Sequence, residues 1–132
     1  MAADFARSMA ADAARLPALL DAIEAWLGDN GVPMAKLAPV MIAFDEILSN
    51  IVNYGGGTLD VAITLDDGAM QATVADDGPR FDPLARPAPD TDATIDDRAI
   101  GGLGIHLVRE MMDEVAYAYE NGRNRLTFRK TF

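Results

Sequence analysis

Three oxygen-bearing side chains recur at helical spacing near the middle of the sequence. Glu46, Asn50 and Asn53 are separated by four and three residues, so an α-helix would place them on one side. A carboxylate and an amide one turn apart can bind a hard cation such as Mg2+, directly or through water. A helix surface that is only exposed to solvent shows the same pattern. The pattern by itself therefore does not distinguish a cation site from a solvated polar face.

The segment that carries these residues also has an apolar side. Large apolar residues recur there at spacings of four and three and predict one helix over residues 37–53. They are Leu37, Met41, Phe44, Leu48 and Ile51. Their stripe would face a core, and the glycines at 55–57 would end the helix.

The tripeptide Asp-Asp-Gly occurs twice, at residues 66–68 and 76–78. The first copy separates two runs of alternating apolar residues, at 59–65 and 70–74, and predicts a tight hairpin turn. The second copy opens a polar loop that reaches about Ile100 without periodicity of its own. A loop of this length is usually functional or disordered.

A glycine-rich turn, Gly101-Gly102-Leu103-Gly104, opens a helix whose apolar positions run to about residue 112. Such a turn presents free backbone N–H groups and the positive end of the helix dipole, where phosphate binds well. The run lacks the Lys-Ser/Thr of a Walker loop and the third glycine of a dinucleotide fingerprint, so taken alone it is weak evidence for a phosphate site.

Alternation and proline positions predict the elements before the central helix. Phe5, Arg7 and Met9 alternate with small residues, which is typical of a short first strand. Asp12 could cap a following helix, but Pro17 is tolerable only in a first turn and favours a later start. In the central helix, Pro39 implies a kink or a start close to Lys36.

The last part of the sequence reads as a second hairpin. Two alternating runs, at 115–119 and 126–128, flank the strong turn signal Asn121-Gly122. Two hairpins cannot form an all-parallel sheet, so we expect a mixed, mostly antiparallel sheet. Three apolar-faced helices on one face would complete an α+β two-layer sandwich in a single domain, residues 1–132.

The composition limits the classes of partner. The chain has 132 residues, half of them hydrophobic, and no cysteine, so it can form a core without disulfides or thiolate metal sites. We see neither a signal peptide nor a membrane span and expect a soluble cytoplasmic protein. A net charge of −10 repels nucleic acid, and a polyanionic ligand would need Mg2+ and backbone dipoles.

Positive charge is concentrated near the end of the sequence. Four basic residues lie within its last ten positions, namely Arg123, Arg125, Arg129 and Lys130. The interpretation that we favour is an edge strand protected from aggregation by charge. A docking patch for an acidic partner is the alternative.

Three stretches, in this order, resemble the Bergerat-type ATP-binding fold shared by histidine kinases and gyrases. They are F-D-E-I-L-S-N at 44–50, D-D-G-P-R-F-D-P at 76–83 and G-G-L-G-I-H-L-V at 101–108. The chain resembles more closely the anti-sigma-factor serine kinases of bacterial partner switching. The last part of the sequence, through Asn121-Gly122 to Thr127 and Lys130, also resembles that subfamily.

The resemblance implies a role for each matching residue. Glu46 would be the base that orients or deprotonates the attacking group, and Asn50 would coordinate Mg2+. Asp76 would accept a hydrogen bond from the adenine amino group and so select ATP over GTP. Residues of about 82–100 would form a lid over the nucleotide. Further nucleotide contacts are implied at Asn53, Gly78, Gly101, Gly102, Leu103, Gly104 and Thr127.

The sequence departs from the family's pattern at two places. Arg80 occupies the position of a second glycine in the adenine motif, after Pro79. The histidine often found near the end of the helix motif is replaced in the Asn53-Tyr54 region. Both changes bear on kinase activity and lid behaviour more than on nucleotide binding.

The implied function is an ATP-dependent protein serine/threonine kinase that binds a sigma factor and phosphorylates an anti-anti-sigma partner of the STAS class. One alternative is a module without catalysis, in which nucleotide sets the shape of a protein interface. Another is a detached kinase domain that serves a histidine-containing phosphotransfer partner. Family members often form homodimers, for which the first helix and strand could serve, although nothing in the composition requires one.

Overall fold

The computed structural model describes residues 3–54, 57–66, 68–80, 82, 84 and 102–132. Within these residues the chain forms five strands, three α-helices and one short 3-10 helix. In chain order they are β1 Ala3–Ala10, the 3-10 helix Ala13–Arg15, α1 Leu16–Asp29, α2 Met34–Tyr54, β2 Thr58–Asp66, β3 Ala69–Asp76, α3 Gly102–Met111, β4 Glu114–Glu120 and β5 Arg123–Thr131.

The strands form one sheet in the order β1-β2-β3-β5-β4. Each of its four pairings is antiparallel. The β4–β5 turn is formed by Asn121 and Gly122, both with positive φ, which suits the twist of the two flanking strands. The expected α+β fold with a mostly antiparallel sheet is confirmed, and no parallel pair occurs among the described strands.

The core lies between the helices and one face of the sheet. Buried residues alternate with exposed ones along β2, so only one side of that strand contributes to the core. Phe44 of α2 packs edge-on against Phe128 of β5, with ring centroids 5.0 Å apart, and Trp26 of α1 packs against Phe5 of β1. The helices and the sheet therefore form the two layers that the sequence predicted. The sheet face away from the helices carries polar and small residues. No helix in the described part of the chain is long and apolar enough to span a membrane.

Two helix starts differ in detail from the expectation. Asp12 caps the 3-10 helix by accepting a hydrogen bond from the Ala14 N–H, and α1 begins only at Leu16, with Pro17 in its first turn. The later start that Pro17 favoured is therefore confirmed. The start of α2 close to Lys36 is wrong, because α2 begins at Met34 and includes Pro39. The Pro33 carbonyl accepts the first helical bonds and initiates the helix ahead of Pro39.

The strand that carries the C-terminal basic residues is not at an edge. β5 lies between β3 and β4, and β1 and β4 are the edge strands. The interpretation of these residues as edge protection is therefore wrong. Their periodicity has a different origin, since Arg123, Arg125 and Arg129 alternate with residues of the buried face. The alternative of a docking patch stays a prediction.

Candidate functional site

Asp76 is a buried carboxylate at the end of β3, with only 4% of its surface exposed. Its Oδ1 accepts hydrogen bonds from the Gly78 N–H at 2.9 Å and from Asn124 Nδ2 at 3.1 Å. Within the described residues Oδ2 receives no such bond. A buried carboxylate with one oxygen saturated and the other available is suited to accept a hydrogen bond from a ligand.

Asn124 lies on β5 directly opposite Asp76 and connects that carboxylate to the edge strand. The two residues are register partners across the β3–β5 pairing. Asn124 Nδ2 also donates to the Pro79 carbonyl at 2.8 Å, and its Oδ1 accepts a hydrogen bond from the Tyr117 hydroxyl. The resulting chain runs from Tyr117 through Asn124 to Asp76, within a part of the sheet that is buried or half-buried.

A second connection joins the start of β2 to the loop after β3 at the same end of the sheet. Gly57 and Thr58 follow α2, and the Thr58 N–H donates to Asp77 Oδ1 at 2.7 Å. The Asp77 N–H donates to the Thr58 carbonyl at 3.3 Å. The start of β2 and the loop after β3 therefore meet next to Asp76.

The polar residues of α2 differ in burial. Asn50 is 8% exposed, Glu46 is half-buried, and Asn53 in the last turn is exposed. Burial raises the pKa of the Glu46 carboxyl above its ordinary value, the charge of Asp45 adds to the rise, and a hydrogen bond with Asn50 offsets part of it. A half-buried carboxylate with a raised pKa next to a buried amide differs from a solvated helix surface and is a candidate proton acceptor.

The glycine-rich turn begins α3, as the sequence predicted. Gly102, Leu103 and Gly104 form its first turn, where backbone N–H groups lack helical partners, and Gly101 lies outside the described residues. The other end of α3 is held by Lys130 Nζ, which donates to the Met111 carbonyl at 2.8 Å. An anion-binding turn at the helix start is consistent with this geometry.

Only the beginning of the expected lid, residues 82–100, can be described. Asp82 accepts a hydrogen bond from the Leu84 N–H at 2.9 Å, and Leu84 packs partly against the core. Arg109 Nη1 donates a long hydrogen bond of 3.4 Å to the Leu84 carbonyl. The remaining lid residues lie outside the described residues, and the lid stays a prediction.

The structure does not bring Thr127 to the other predicted nucleotide contacts. Thr127 alternates with the buried Leu126 and Phe128 and therefore lies on the sheet face away from the helices. Its hydroxyl oxygen is 3.4 Å from that of Thr73, its cross-strand partner. Asp76 belongs to the helix-covered face.

Sequence reasoning missed Asn124 and Tyr117. The signal was present, because Asn124 precedes Leu126 by two residues and so falls on the same buried face. A polar residue at a position that alternation assigns to the core needs a partner. The partner, Asp76, is 48 residues away in sequence and could not be found from local pattern.

The fold carries a buried carboxylate at the end of β3 and glycines in the first turn of α3, a combination typical of nucleotide-binding domains. The sequence matches the profile of the histidine kinase-like ATPase domain family over residues 9–130. The chain belongs to this family, and the resemblance noted in the sequence is confirmed. Membership in a family of ATPase domains implies an ATP-binding chain.

Two known proteins are similar to the chain. A serine/threonine-protein kinase of Bordetella bronchiseptica, BtrW, is 32% identical over 88 residues, which are 63% of this chain and 62% of that kinase. The crystal structure of the RsbU and RsbW domains of Rv1364c from Mycobacterium tuberculosis superposes with a TM-score of 0.70 at 17% identity. That match covers 98% of this chain and 32% of the other. The chain thus spans less than two thirds of the length of either relative.

Proposed function

We propose that this chain is a single-domain, ATP-dependent protein serine/threonine kinase that binds a sigma factor and phosphorylates a STAS-type anti-anti-sigma partner in the cytoplasm. The observation that carries the nucleotide part is the buried Asp76 carboxylate, whose Oδ1 accepts two hydrogen bonds while Oδ2 accepts none from the described residues. An adenine amino group supplies that donor, whereas the keto oxygen of guanine would face the carboxylate as a second acceptor. The kinase part is supported by the similarity to a serine/threonine-protein kinase.

We propose that the residues of this site bind Mg-ATP. When bound, ATP would supply the phosphoryl group and Mg2+ would neutralise its charge. We assign Asn50 to Mg2+ because its amide oxygen is a suitable hard ligand, and the first turn of α3 to the phosphates. Glu46, whose raised pKa suits proton transfer, would accept the proton of the attacking hydroxyl group.

Thermal unfolding with Mg-ATP, Mg-ADP and Mg-GTP tests the nucleotide site. Ligand at about a hundred times its dissociation constant stabilises the fold by about 2.7 kcal/mol, a midpoint shift on the order of 10 °C for a chain of this size. We expect the shift with adenine nucleotides only, and its loss in Asp76→Asn. Asp77→Asn is the matched control, because the Asp77 carboxylate binds the Thr58 N–H instead. No shift with any nucleotide would refute the proposed site.

Phosphoryl transfer requires a separate assay with a STAS-domain partner and Mg-ATP. We expect an acid-stable phosphate on a serine or threonine of the partner, and its loss in Glu46→Gln with ATP binding retained. ATP binding without any transfer would refute the kinase and support a nucleotide-dependent interaction module. An acid-labile phosphate on a histidine would instead support the phosphorelay alternative.

A further inference from the structure

The 76–80 loop, which comprises the last residue of β3 and the four residues after it, is attached to the β4–β5 hairpin by side chains that no motif of the sequence pointed to. We infer that Asn124, oriented by Tyr117, is the positioning residue that makes Asp76 selective for adenine. This inference rests on the proposed function and names a specificity determinant of the same site. It concerns how the carboxylate is held, and it assigns no direct ligand contact to Asn124 or Tyr117.

The orientation of the Asn124 amide follows from its neighbours. The Tyr117 hydroxyl donates to Oδ1, so Nδ2 points to the other side, toward Asp76 and the Pro79 carbonyl. The Gly78 carbonyl is a third acceptor, 3.4 Å from Nδ2. A flipped amide would place its oxygen against a carboxylate and two carbonyl oxygens, with no donor among them. Tyr117 therefore selects the one amide orientation that supports Asp76.

The oriented amide determines which oxygen of Asp76 remains for a ligand. Oδ1 is saturated by Asn124 Nδ2 and the Gly78 N–H, which fixes the plane of the carboxylate. Oδ2 is then the available acceptor. A site that offers only an acceptor binds an amino group and rejects a keto group, because the keto group would leave a buried carboxylate unpaired. Without the Asn124 amide the carboxylate could rotate, and the distinction would weaken.

Packing alone does not explain an asparagine at this position. Residue 124 lies on the face of β5 that Leu126 and Phe128 contribute to the core, where an apolar side chain would be buried favourably. Asn124 is 6% exposed, and a buried amide is tolerated only when its hydrogen bonds are made. The loop is attached to the hairpin a second time, since the Arg80 guanidinium lies 5.6 Å from the centroid of the Tyr119 ring.

The test compares two identical substitutions on one strand. Tyr117→Phe removes the hydroxyl that orients Asn124, and Tyr119→Phe removes a hydroxyl for which the described residues show no partner while keeping the ring under Arg80. Dissociation constants for Mg-ATP and Mg-ITP are measured by calorimetry, because inosine carries a keto oxygen in place of the adenine amino group. We expect Tyr117→Phe to lower the preference for ATP over ITP by about fivefold, mostly through weaker ATP binding. Tyr119→Phe should keep the wild-type preference.

Asn124→Asp provides a second, stronger variant. It places a carboxylate against Asp76, and we expect the preference for ATP to fall further than in Tyr117→Phe. Urea unfolding of each variant without ligand separates a loss of fold from a loss of selectivity, and Tyr117→Phe supplies the result if Asn124→Asp does not fold. Equal ATP preference in Tyr117→Phe, Tyr119→Phe and wild type would overturn the positioning role alone. Wild-type protein that binds neither nucleotide would overturn the proposed function as well.

Discussion

Gly57, the residue before β2, tests how the start of that strand is held against the loop after β3. Its φ is +68°, and a Cβ added there would lie 2.0 Å from Asp77 Oδ1. That oxygen accepts the hydrogen bond from the Thr58 N–H. In Gly57→Ala the backbone must therefore tolerate a left-handed residue, and the Asp77 side chain must also move away from Thr58.

The two costs can be separated by a second glycine. Gly68 has a similar φ of +75°, but a Cβ there would meet nothing within 4 Å. A left-handed alanine costs about 1–2 kcal/mol, which is the whole effect expected for Gly68→Ala. Loss of the exposed Asp77–Thr58 hydrogen bond adds about 1 kcal/mol, so Gly57→Ala should cost about 2–3 kcal/mol.

Urea unfolding of a double-mutant cycle measures the contact directly. Asp77→Ala alone should cost about 1 kcal/mol, because it removes the same hydrogen bond. In the double variant Gly57→Ala/Asp77→Ala the clash is gone and the bond is lost only once. We expect a total of about 2–3 kcal/mol, about 1 kcal/mol less than the sum of the single variants.

Two results would refute this reasoning. If Gly57→Ala and Gly68→Ala cost the same, the added methyl group does not displace Asp77. If the cycle is additive, the carboxylate of Asp77 and the space next to Gly57 are not coupled. Because Asp77 adjoins Asp76, a Gly57→Ala protein should also bind ATP more weakly than a Gly68→Ala protein of similar stability.

Two further predictions concern pH. Because the folded-state pKa of Glu46 is raised, the contribution of this carboxyl group to stability is present in acid and is lost as pH rises through that pKa. Glu46→Gln should therefore have a higher urea midpoint than the wild type at neutral pH, and the two midpoints should approach each other near about pH 4. Asp45→Asn, which removes only the neighbouring charge, should show a smaller part of this gain, and a pH-independent difference would contradict the assignment. Hydrogen bonds from Ser8 and then Arg123 lower the pKa of Asp60, so its contribution is present above the ordinary aspartate pKa and lost as pH falls through the folded value. Asp60→Asn should therefore be less stable than the wild type at neutral pH and lose less stability in acid. If the urea midpoints of variant and wild type instead change with pH by the same amount, the hydrogen bonds from Ser8 and Arg123 do not lower the pKa of Asp60.

Local patterns were sufficient to predict much of this fold. Helix period and turn chemistry identified the periodicity of α2, the Asn121-Gly122 turn and the position of Asp76 at the end of β3, because each depends on neighbours in sequence. The central place of β5 depends on where the chain returns after α3, and no local signal encodes that return.

The candidate site shows the same division. Asp76 and Gly78 were found because their motif is contiguous, whereas Asn124 acts only through a cross-strand contact. Thr127 was included by resemblance, although its alternation with Leu126 already placed it on the opposite face from Asn124. Strand alternation is therefore a useful check on any residue role that is transferred by motif alone.

The central place of β5 has a consequence for synthesis on the ribosome. Of the five described strands β5 is synthesised last, yet it pairs with β3 in the interior of the sheet and supplies Asn124 to Asp76. Until residue 124 has emerged, one edge of β3 is unpaired, and the 76–80 loop lacks its anchor. We therefore expect ATP to stabilise the nascent chain only after β5 has emerged and paired with β3.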